Sequence, residues 1–385
     1  MYLLSGRVSL LSAVLAVAGL CQTDPAPPAQ DASQTPAPAA APAPTPAPSP
    51  WTKKGIDFYL LGDVYGDLNF NHPAAGQNQL YNFDFQANQV HLNFAKFSME
   101  KASGIVGFRL DVGTGQTLDW ISSTDQAPQA MKYFEQVYVE LRPKHMHGIQ
   151  FDVGKFVTSA GAEVIETNNN WNYSRSLLFS WAIPYYHLGL RTTIPVTKTF
   201  STGVQLVNGW NNVKDNNSGK TVGIVGNFTW KKATWSNNYY SGPEKDNTNT
   251  GFRQLYDTTL LINPTDKFSA YFNYDFGTDK NIGLGRQNWT GFAVAARYQF
   301  AKRFAFAPRA EIFDDRNGFA TGTAQTIKEF TLTGEMKILD GLISRLEFRR
   351  DNSDKPFFNR GGDIAFAKAQ TTIALGLIAF FGPKK

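Results

Sequence analysis

Apolar and polar residues alternate along most of the chain after residue 54. Between residues 55 and 71 the even positions are apolar or glycine, whereas the odd positions carry Asp57, Asp63 and Asp67 among mainly polar side chains. A period of two predicts a β-strand with one apolar face and one hydrated face. Because three carboxylates on one strand face would be costly in a dry core, we expect this face to line water.

The same alternation predicts about 16 strands, and the connections between them follow a regular order. Long connections such as residues 159–181 alternate with tight ones such as residues 231–233. This order is typical of outer-membrane barrels, in which periplasmic turns are short and external loops are long. The predicted strands are residues 55–71, 86–101, 104–114, 131–142, 147–158, 182–196, 199–211, 220–231, 233–241, 251–263, 267–276, 287–300, 303–314, 324–337, 342–351 and 368–381.

The predicted fold class is therefore all-β, a single transmembrane antiparallel β-barrel over residues 55–385. About 16 strands enclose more space than side chains fill, which leaves an aqueous channel. Trp230 and Trp235 flank one tight turn and Phe300 and Phe304 flank another, on the apolar strand faces. Aromatic rings at those positions are typical of the girdle that a barrel places at the membrane interface.

The N-terminal part of the chain has a different composition. Residues 1–20 combine Arg7 with a short apolar core, which predicts a cleaved secretory signal peptide and export. Residues 21–54 are rich in alanine and proline and predict an extended periplasmic spacer. Cys21 is the single cysteine, which excludes an internal disulfide. Lipidation of Cys21 stays open, although Leu20 stands where a lipoprotein signal has a small residue.

Charge and motifs narrow the class of function. The 37 basic and 32 acidic residues give a net charge of +5, and they are scattered along the chain. Scattered charge does not favour nucleic-acid binding. The sequence also has no phosphate-binding glycine motif, and we expect no cofactor.

Four stretches in the middle of the chain carry a family resemblance. They are residues 154–158 (GKFVT), 170–176 (NWNYSRS), 184–191 (PYYHLGLR) and 208–210 (NGW). With them the chain resembles the β-barrel porin-2 family of OmpL-like outer-membrane porins. The resemblance implies an outer-membrane pore. General porins, a looser comparison, fold the loop after the fifth strand into the lumen and form trimers, so we expect residues 159–181 to fold inward and a homotrimer to form.

A constriction sorts solutes by placing fixed charges across a narrow wet passage. The candidates on the loop are Glu163, Glu166, Trp171, Tyr173 and Arg175, and those on the wall are Arg109, Asp111, Asp152, Arg191, Arg297, Arg309, Arg345 and Arg349. An alternative is that the arginines pair with wall carboxylates and only keep the lumen hydrated; the candidate partners are Asp111, Glu140, Asp152, Glu311 and Glu347.

Aromatic residues of the loop and the next strand have two interpretations. Trp171, Tyr173, Trp181, Tyr185 and Tyr186 form either a stacking path for sugars or the packing that pins the loop to the wall.

The predicted function is passive diffusion of small hydrophilic solutes or ions through an outer-membrane porin that contacts outer-membrane lipids and is not an enzyme. Two other classes stay open. A barrel hydrolase of lipids or peptides would use His91 or His187, but no serine motif marks a nucleophile. A metal site formed by His145 and His147 would lack the further ligands that it needs. An envelope anchor or adhesin would use the external loops and the proline-rich segment.

Overall fold

The computed structural model describes residues 49–101, 104–281 and 283–383. The predicted signal peptide (1–20), Cys21 and the spacer up to residue 48 lie outside the described residues. Of the last residues assigned to the spacer, Thr52–Lys53 form a short strand that pairs with Ile56 and Asp57.

Sixteen antiparallel strands form one closed barrel, as the alternation predicts. Each strand pairs with the next in sequence, and the last strand pairs with the first, for example at Ile373 and Leu68. Closure matters because an open edge would leave backbone groups unpaired in hydrocarbon. The barrel strands are β1 (Ile56–Asn69), β2 (Val90–Lys101), β3 (Val106–Thr114), β4 (Phe134–Leu141), β5 (Gln150–Val157), β6 (Tyr186–Pro195), β7 (Phe200–Val207), β8 (Thr221–Trp230), β9 (Ala233–Lys245), β10 (Thr248–Thr265), β11 (Phe268–Asn281), β12 (Gly285–Ala301), β13 (Phe304–Asp315), β14 (Gln325–Leu339), β15 (Leu342–Ser353) and β16 (Ala369–Phe381).

Two predicted external loops are largely strand instead. Residues 242–250 and 277–286 belong mostly to β9–β12, and β9 and β10 are joined by residues 246 and 247 alone. The sequence favours a loop there because Gly242, Pro243 and several asparagines are poor strand formers. Pairing between the two arms of each hairpin overrides that local preference.

Short elements complete the fold. A small hairpin (Phe358–Arg360 and Asp363–Ala367) lies in the last external connection. The helical segments are α1 (Gln116–Ile121), two 3₁₀ turns (Gln129–Tyr133 and Thr167–Asn169) and a π-helical turn (Leu178–Ala182). In the described part of the chain, no helix has the length and hydrophobicity to cross a membrane.

The apolar and polar residues of β1 lie on opposite faces of the barrel wall, as their alternation predicts. Leu60, Val64 and Leu68 are exposed on the outer surface, whereas Asp63 and Tyr65 point inward and are buried. The expectation that the carboxylates of this strand line water needs correction at Asp63. Its carboxylate is covered by a loop that fills the lumen at that level and donates hydrogen bonds to it, so protein groups replace water there.

Three inward segments pack together in the extracellular part of the lumen. They are the external loop of residues 70–89, helix α1, and the loop of residues 158–185 between β5 and β6, called the lumen loop below. Phe83 contacts the rings of Phe179 and Tyr185, with centroids 5.7 and 5.6 Å apart. Leu118 of α1 belongs to the same buried cluster. The lumen therefore has an apolar core of its own above a charged periplasmic part.

Candidate functional site

The lumen loop crosses from β5 to the far wall of the barrel, where Glu163 is one of its anchors. One Glu163 carboxylate oxygen accepts hydrogen bonds from Arg309 Nη1 at 2.8 Å and from the Tyr271 hydroxyl at 3.1 Å. The other accepts from the backbone N–H of Ser176 at 2.6 Å. Only 4% of Glu163 is exposed, so its charge is neutralised inside the protein.

Three wall arginines donate to backbone carbonyls of the lumen loop. Arg309 Nη1 lies 2.8 Å from the carbonyl oxygen of Ser174, and Arg349 Nη1 lies 2.8 Å from that of Arg175. Arg345 donates to the carbonyl oxygen of Thr167 at 2.6 Å. Each guanidinium also pairs with a wall carboxylate, since its five donors serve both at once. All three side chains are buried, so we call Arg309, Arg345 and Arg349 the loop clamps.

Wall carboxylates complete the attachment from the other side. Glu347 accepts from the backbone N–H groups of Tyr173 and Ser174 at 2.6 and 2.9 Å, and Glu311 accepts from that of Leu177 at 3.1 Å. Asp63 accepts from the hydroxyls of Thr167 and Tyr173 at 2.6 and 2.7 Å. The sequence does not by itself indicate that any of these carboxylates contacts the loop. The available signal was alternating acids and arginines on the inward parity of neighbouring strands β13–β15.

The other predicted loop residues differ in what they contact. Arg175 folds back onto its own loop, where it donates to the carbonyl oxygen of Val164 at 3.0 Å and to the Thr167 hydroxyl at 2.9 Å. Tyr173 is fully buried, and Gly376 of β16 leaves the space for its ring, because a Cβ there would lie 2.2 Å from it. Trp171 is partly exposed and lies over Tyr271, with centroids 5.2 Å apart. Tyr173 and Arg175 thus hold the loop in place, and Trp171 borders open space.

Open space lies on the periplasmic side of the lumen loop. A cavity of about 860 Å³ extends from Glu166, Asn168 and Asn169 at the loop tip to residues near the tight turns, and its other lining residues include Lys96, Arg109, Lys337, Asp340 and Phe381. A second cavity of about 260 Å³ is bordered by Glu163, Trp171 and Tyr271. The charged groups at the larger cavity are therefore the ones that a solute in this space would meet.

Glu166 joins the loop tip to the wall through Lys96. The Lys96 ammonium hydrogen bonds to Glu166, lies 2.6 Å from Glu135 and lies 3.7 Å from Asp111. Although burial opposes ionisation, the charge of Lys96 and its hydrogen bond hold the pKa of Glu166 below its usual value. The three carboxylates have the spacing of cation ligands, and Lys96 is the cation among them.

Arg109 continues this charged border along the wall. Its Nε donates to Asp111 at 2.7 Å, and its Nη1 pairs with Glu100 at 2.5 Å. The side chains of Arg109 and Glu166 are 17% and 16% exposed, respectively. Both therefore keep contact with the cavity while they are held in place by opposite charges.

Arg191 and Arg297 are partly exposed members of the predicted wall set. Arg191 pairs with Asp152 at 2.8 Å and lies over the Phe156 ring, while Arg297 pairs with Glu335 at 2.7 Å. The alternative of arginine–carboxylate pairing on the wall is thus realised for Arg109 with Asp111, Arg191 with Asp152, and Arg309 with Glu311. A pore role for the predicted residues stays a prediction.

His187, a candidate base for a hydrolase, is buried in a packed part of the wall. Its Nδ1 lies 2.9 Å from the carbonyl oxygen of Gly209, and its ring stacks on Tyr240 with centroids 5.1 Å apart. Within the described residues, Nε2 has no hydrogen-bond partner. The arrangement of a base bonded to a nucleophile therefore does not occur at this histidine.

Comparison with known proteins gives a family and a set of similar folds. The family described as "Putative beta-barrel porin-2, OmpL-like" matches residues 56–381. No curated protein matches by sequence.

Several solved barrels are similar in fold. The anion-selective porin from Comamonas acidovorans is 11% identical with a TM-score of 0.60, and 85% of this chain and 99% of that one are covered. The trimer form of OmpT from Vibrio cholerae is 11% identical with a TM-score of 0.56 and the same coverage. Salmonella typhi OmpF in complex with daunomycin is 12% identical with a TM-score of 0.56, covering 85% of this chain and 97% of that one. At such identities the likeness concerns the fold.

Proposed function

Because the chain belongs to the OmpL-like β-barrel porin-2 family, we propose that ions and small hydrophilic solutes diffuse passively through its lumen past a border formed by Lys96, Arg109 and Glu166. As a member of this family it is a porin, a channel of the bacterial outer membrane. We further propose that the charges which the solute meets in the lumen lie at the tip of the lumen loop and on the facing wall.

The position of Glu166 is the main support for this proposal. Among the predicted loop carboxylates, Glu166 combines an ionised partner on the wall with contact to the larger cavity. Glu163 is instead covered by Arg309 and Tyr271. A fixed charge acts most strongly on an ion that passes close to it, and low-dielectric walls focus its field into the lumen. Glu166 and Arg109 border the larger cavity, so we assign the influence on selectivity to them.

Reversal potentials of the purified protein in planar bilayers under a salt gradient test this proposal. Native protein is expected to give discrete conductance steps. Glu166→Gln removes a negative charge and is expected to shift the reversal potential towards anion selectivity, whereas Arg109→Gln is expected to shift it towards cations. Asp119→Asn, which changes an exposed external carboxylate, is the matched control. Unchanged reversal potentials in both lumen variants would refute the assignment, and an absence of conductance steps would refute a diffusion channel.

We also propose that the chain forms homotrimers through one side of the barrel. Strands β3–β8, the short wall, have 8 to 10 residues each, whereas β9–β12, the tall wall, have 13 to 18. Of the described large hydrophobic residues that are exposed, those on the short wall are aliphatic except Trp230, and those on the tall wall are all aromatic. Aromatic rings suit a lipid interface, so β3–β6, a part of the short wall whose exposed large hydrophobic residues are all aliphatic, suits contact with another protein.

Export by the signal peptide (1–20), with residues 21–54 as a periplasmic spacer, belongs to the same proposal. It is supported by the composition of that segment and by the outer-membrane location of the family.

A further inference from the structure

Four aromatic side chains form a stack on the outer surface of the barrel, next to two periplasmic turns. Phe200 and Phe228 have ring centroids 4.5 Å apart, and Phe228 lies 5.4 Å from Trp235 and 6.0 Å from Trp230. Trp230 and Trp235 are both exposed. These four residues, called the rim stack, lie where β7, β8 and β9 reach the membrane interface.

Three lysines stand directly beside the rim stack. Lys198 lies in the β6–β7 turn, and Lys231 and Lys232 form the β8–β9 turn. A backbone hydrogen bond of 2.8 Å from the Thr229 N–H to the Thr199 carbonyl holds the two turns side by side. All three lysines, called the rim lysines, are exposed.

The rim lysines carry positive charge that the protein leaves uncompensated. Lys232 donates to the carbonyl oxygen of Pro264 at 2.7 Å. Throughout the described ranges of the chain, no carboxylate lies within ion-pairing distance of any of the three. Elsewhere on the same rim, Lys337 pairs with Asp340. The free positive charge above exposed rings therefore distinguishes this part of the rim from the turn that carries Lys337.

The same combination recurs at a second turn of this rim. Phe300 and Phe304 stack with centroids 6.1 Å apart, and the turn between them carries Lys302 and Arg303, both exposed. Exposed rings with basic groups on their polar side match the order of layers in a phospholipid leaflet, where acyl chains lie below an anionic phosphate. A soluble acidic partner would give no reason for the rings.

We propose that the rim lysines and the rim stack together form a binding site for an anionic phospholipid of the leaflet that faces the periplasm. The headgroup phosphate oxygens accept hydrogen bonds from the lysine ammonium groups, and the glycerol and upper acyl carbons lie along Trp230 and Trp235. A zwitterionic lipid carries its own positive group and loses most of this attraction. Near an anionic surface, each lysine contributes roughly a fivefold preference.

The distribution of tryptophans makes this site directly observable. Of the eight tryptophans in the chain, the exposed ones on the described surface are Trp230 and Trp235, both in the rim stack. Bromine on lipid acyl chains quenches tryptophan fluorescence by contact. In phosphatidylcholine bilayers, brominated phosphatidylglycerol should therefore quench the full-length protein with a relative binding constant at least about fivefold above that of brominated phosphatidylcholine.

The variants separate this site from a general effect of net charge. Replacing Lys198, Lys231 and Lys232 by glutamine should reduce the relative constant to about 1. Replacing three exposed lysines at the external end of the barrel by glutamine, at Lys214, Lys328 and Lys368, changes net charge equally and should leave the constant as in the native protein. Circular dichroism and conductance steps verify that both variants are folded.

Three outcomes would overturn the proposal. They are equal quenching by the two brominated lipids in native protein, a preference that survives in the rim variant, and an equal loss in the external control. A cell-wall partner is tested in parallel by sedimentation with isolated peptidoglycan. If native protein sediments with it, the rim variant does not, and the lipid preference is absent, then the surface binds the wall and the lipid site is refuted.

Discussion

Buried arginines hold the lumen loop, and their energetics follow from what surrounds them. Arg309 contacts three carboxylates, Glu163, Glu311 and Glu329, and a backbone carbonyl of the loop. Taking such charges out of water is costly, and the cost is recovered only while every partner is present. The clamps are therefore expected to act as a set of mutually dependent groups, in contrast to the Arg109–Glu100 pair at the cavity, which is partly exposed.

The first prediction concerns Arg309→Gln. The substitution leaves three buried carboxylates without their shared cation, and we expect a loss of about 3–5 kcal/mol in the free energy of unfolding together with release of the lumen loop. Denaturant unfolding and hydrogen exchange of residues 158–185 measure the two effects. Arg297→Gln, which removes a partly exposed partner of Glu335, should cost at most about 1 kcal/mol. Equal stability of native protein and the Arg309 variant would contradict the clamp.

The second prediction concerns Gly376, which leaves room for the Tyr173 ring. Gly376→Ala places a methyl group 2.2 Å from that ring, and the fully buried ring has little freedom to move away. We expect a destabilisation of about 1–3 kcal/mol from overpacking and faster hydrogen exchange in the lumen loop. Gly62→Ala is the control, because nothing lies within 4 Å of a Cβ there. If both variants behave alike, the close approach at Gly376 has no role in seating the loop.

At the scale of elements, the lumen loop and the loop of residues 70–89 behave as one packed unit. Asn82 Nδ2 donates to the carbonyl oxygen of Ser180 at 2.7 Å, and Trp181 Nε1 donates to that of Leu80 at 3.0 Å. Both loops contribute side chains to the buried apolar cluster. A movement of one loop therefore requires a movement of the other.

The third prediction follows from Asp84, which this packing buries. Burial is the largest cause that raises the pKa of Asp84, Glu347 and Asp67 also raise it, and Arg349 and Arg175 lower it; together they bring this pKa to about 7. Because the folded pKa is above the usual carboxyl value, seating of the loop is most favourable below about pH 4 and weakens as the pH rises through about 7. Hydrogen exchange of residues 70–89, corrected for intrinsic rates, should show less protection at pH 8 than at pH 5.5.

The matched variant for this prediction is Asp84→Asn. An amide has the same shape and does not titrate, so the difference in protection of residues 70–89 between pH 5.5 and pH 8 should become smaller. A pH dependence as large as in the native protein would assign the effect to another group, such as Asp67, whose carboxylate accepts hydrogen bonds from Asn78 and Asn88 of the same loop.

The sequence was sufficient for the strands because the parity of a strand is a local property. Residues such as Leu60 and Asp63 alternate on β1 whatever lies above them. The segment that covers a strand face is not determined by local sequence, because Asp63 accepts a hydrogen bond from Thr167, which is 104 residues away in the chain. The parity therefore placed Arg309, Arg345 and Arg349 on the inner face, but it did not distinguish an arginine that faces water from one that clamps a loop.

At the scale of the whole molecule, the barrel is asymmetric. The short wall carries exposed aliphatic side chains such as Val139 and Val153, and the tall wall carries exposed rings such as Tyr256 and Phe272. Both surfaces are apolar, so hydrophobicity alone does not distinguish lipid from protein as their neighbour. The two walls are distinguished by their content of aromatic rings and by their strand lengths. Aliphatic surfaces pack closely against each other, whereas interfacial rings stabilise contact with lipid headgroups.

The last prediction tests the homotrimer through that difference. Val139→Arg with Val153→Arg places two charges in the middle of the short wall, where a protein neighbour would leave them desolvated and unpaired, so the trimer is expected to dissociate into folded monomers. Native mass spectrometry and light scattering in detergent give the number of chains, and conductance steps report the fold. Ile312 on β13 lies outside the short wall and is similarly exposed, so Ile312→Arg should keep three chains together. A native protein with the mass of one chain, or a short-wall variant that stays trimeric, would remove the short wall as the interface.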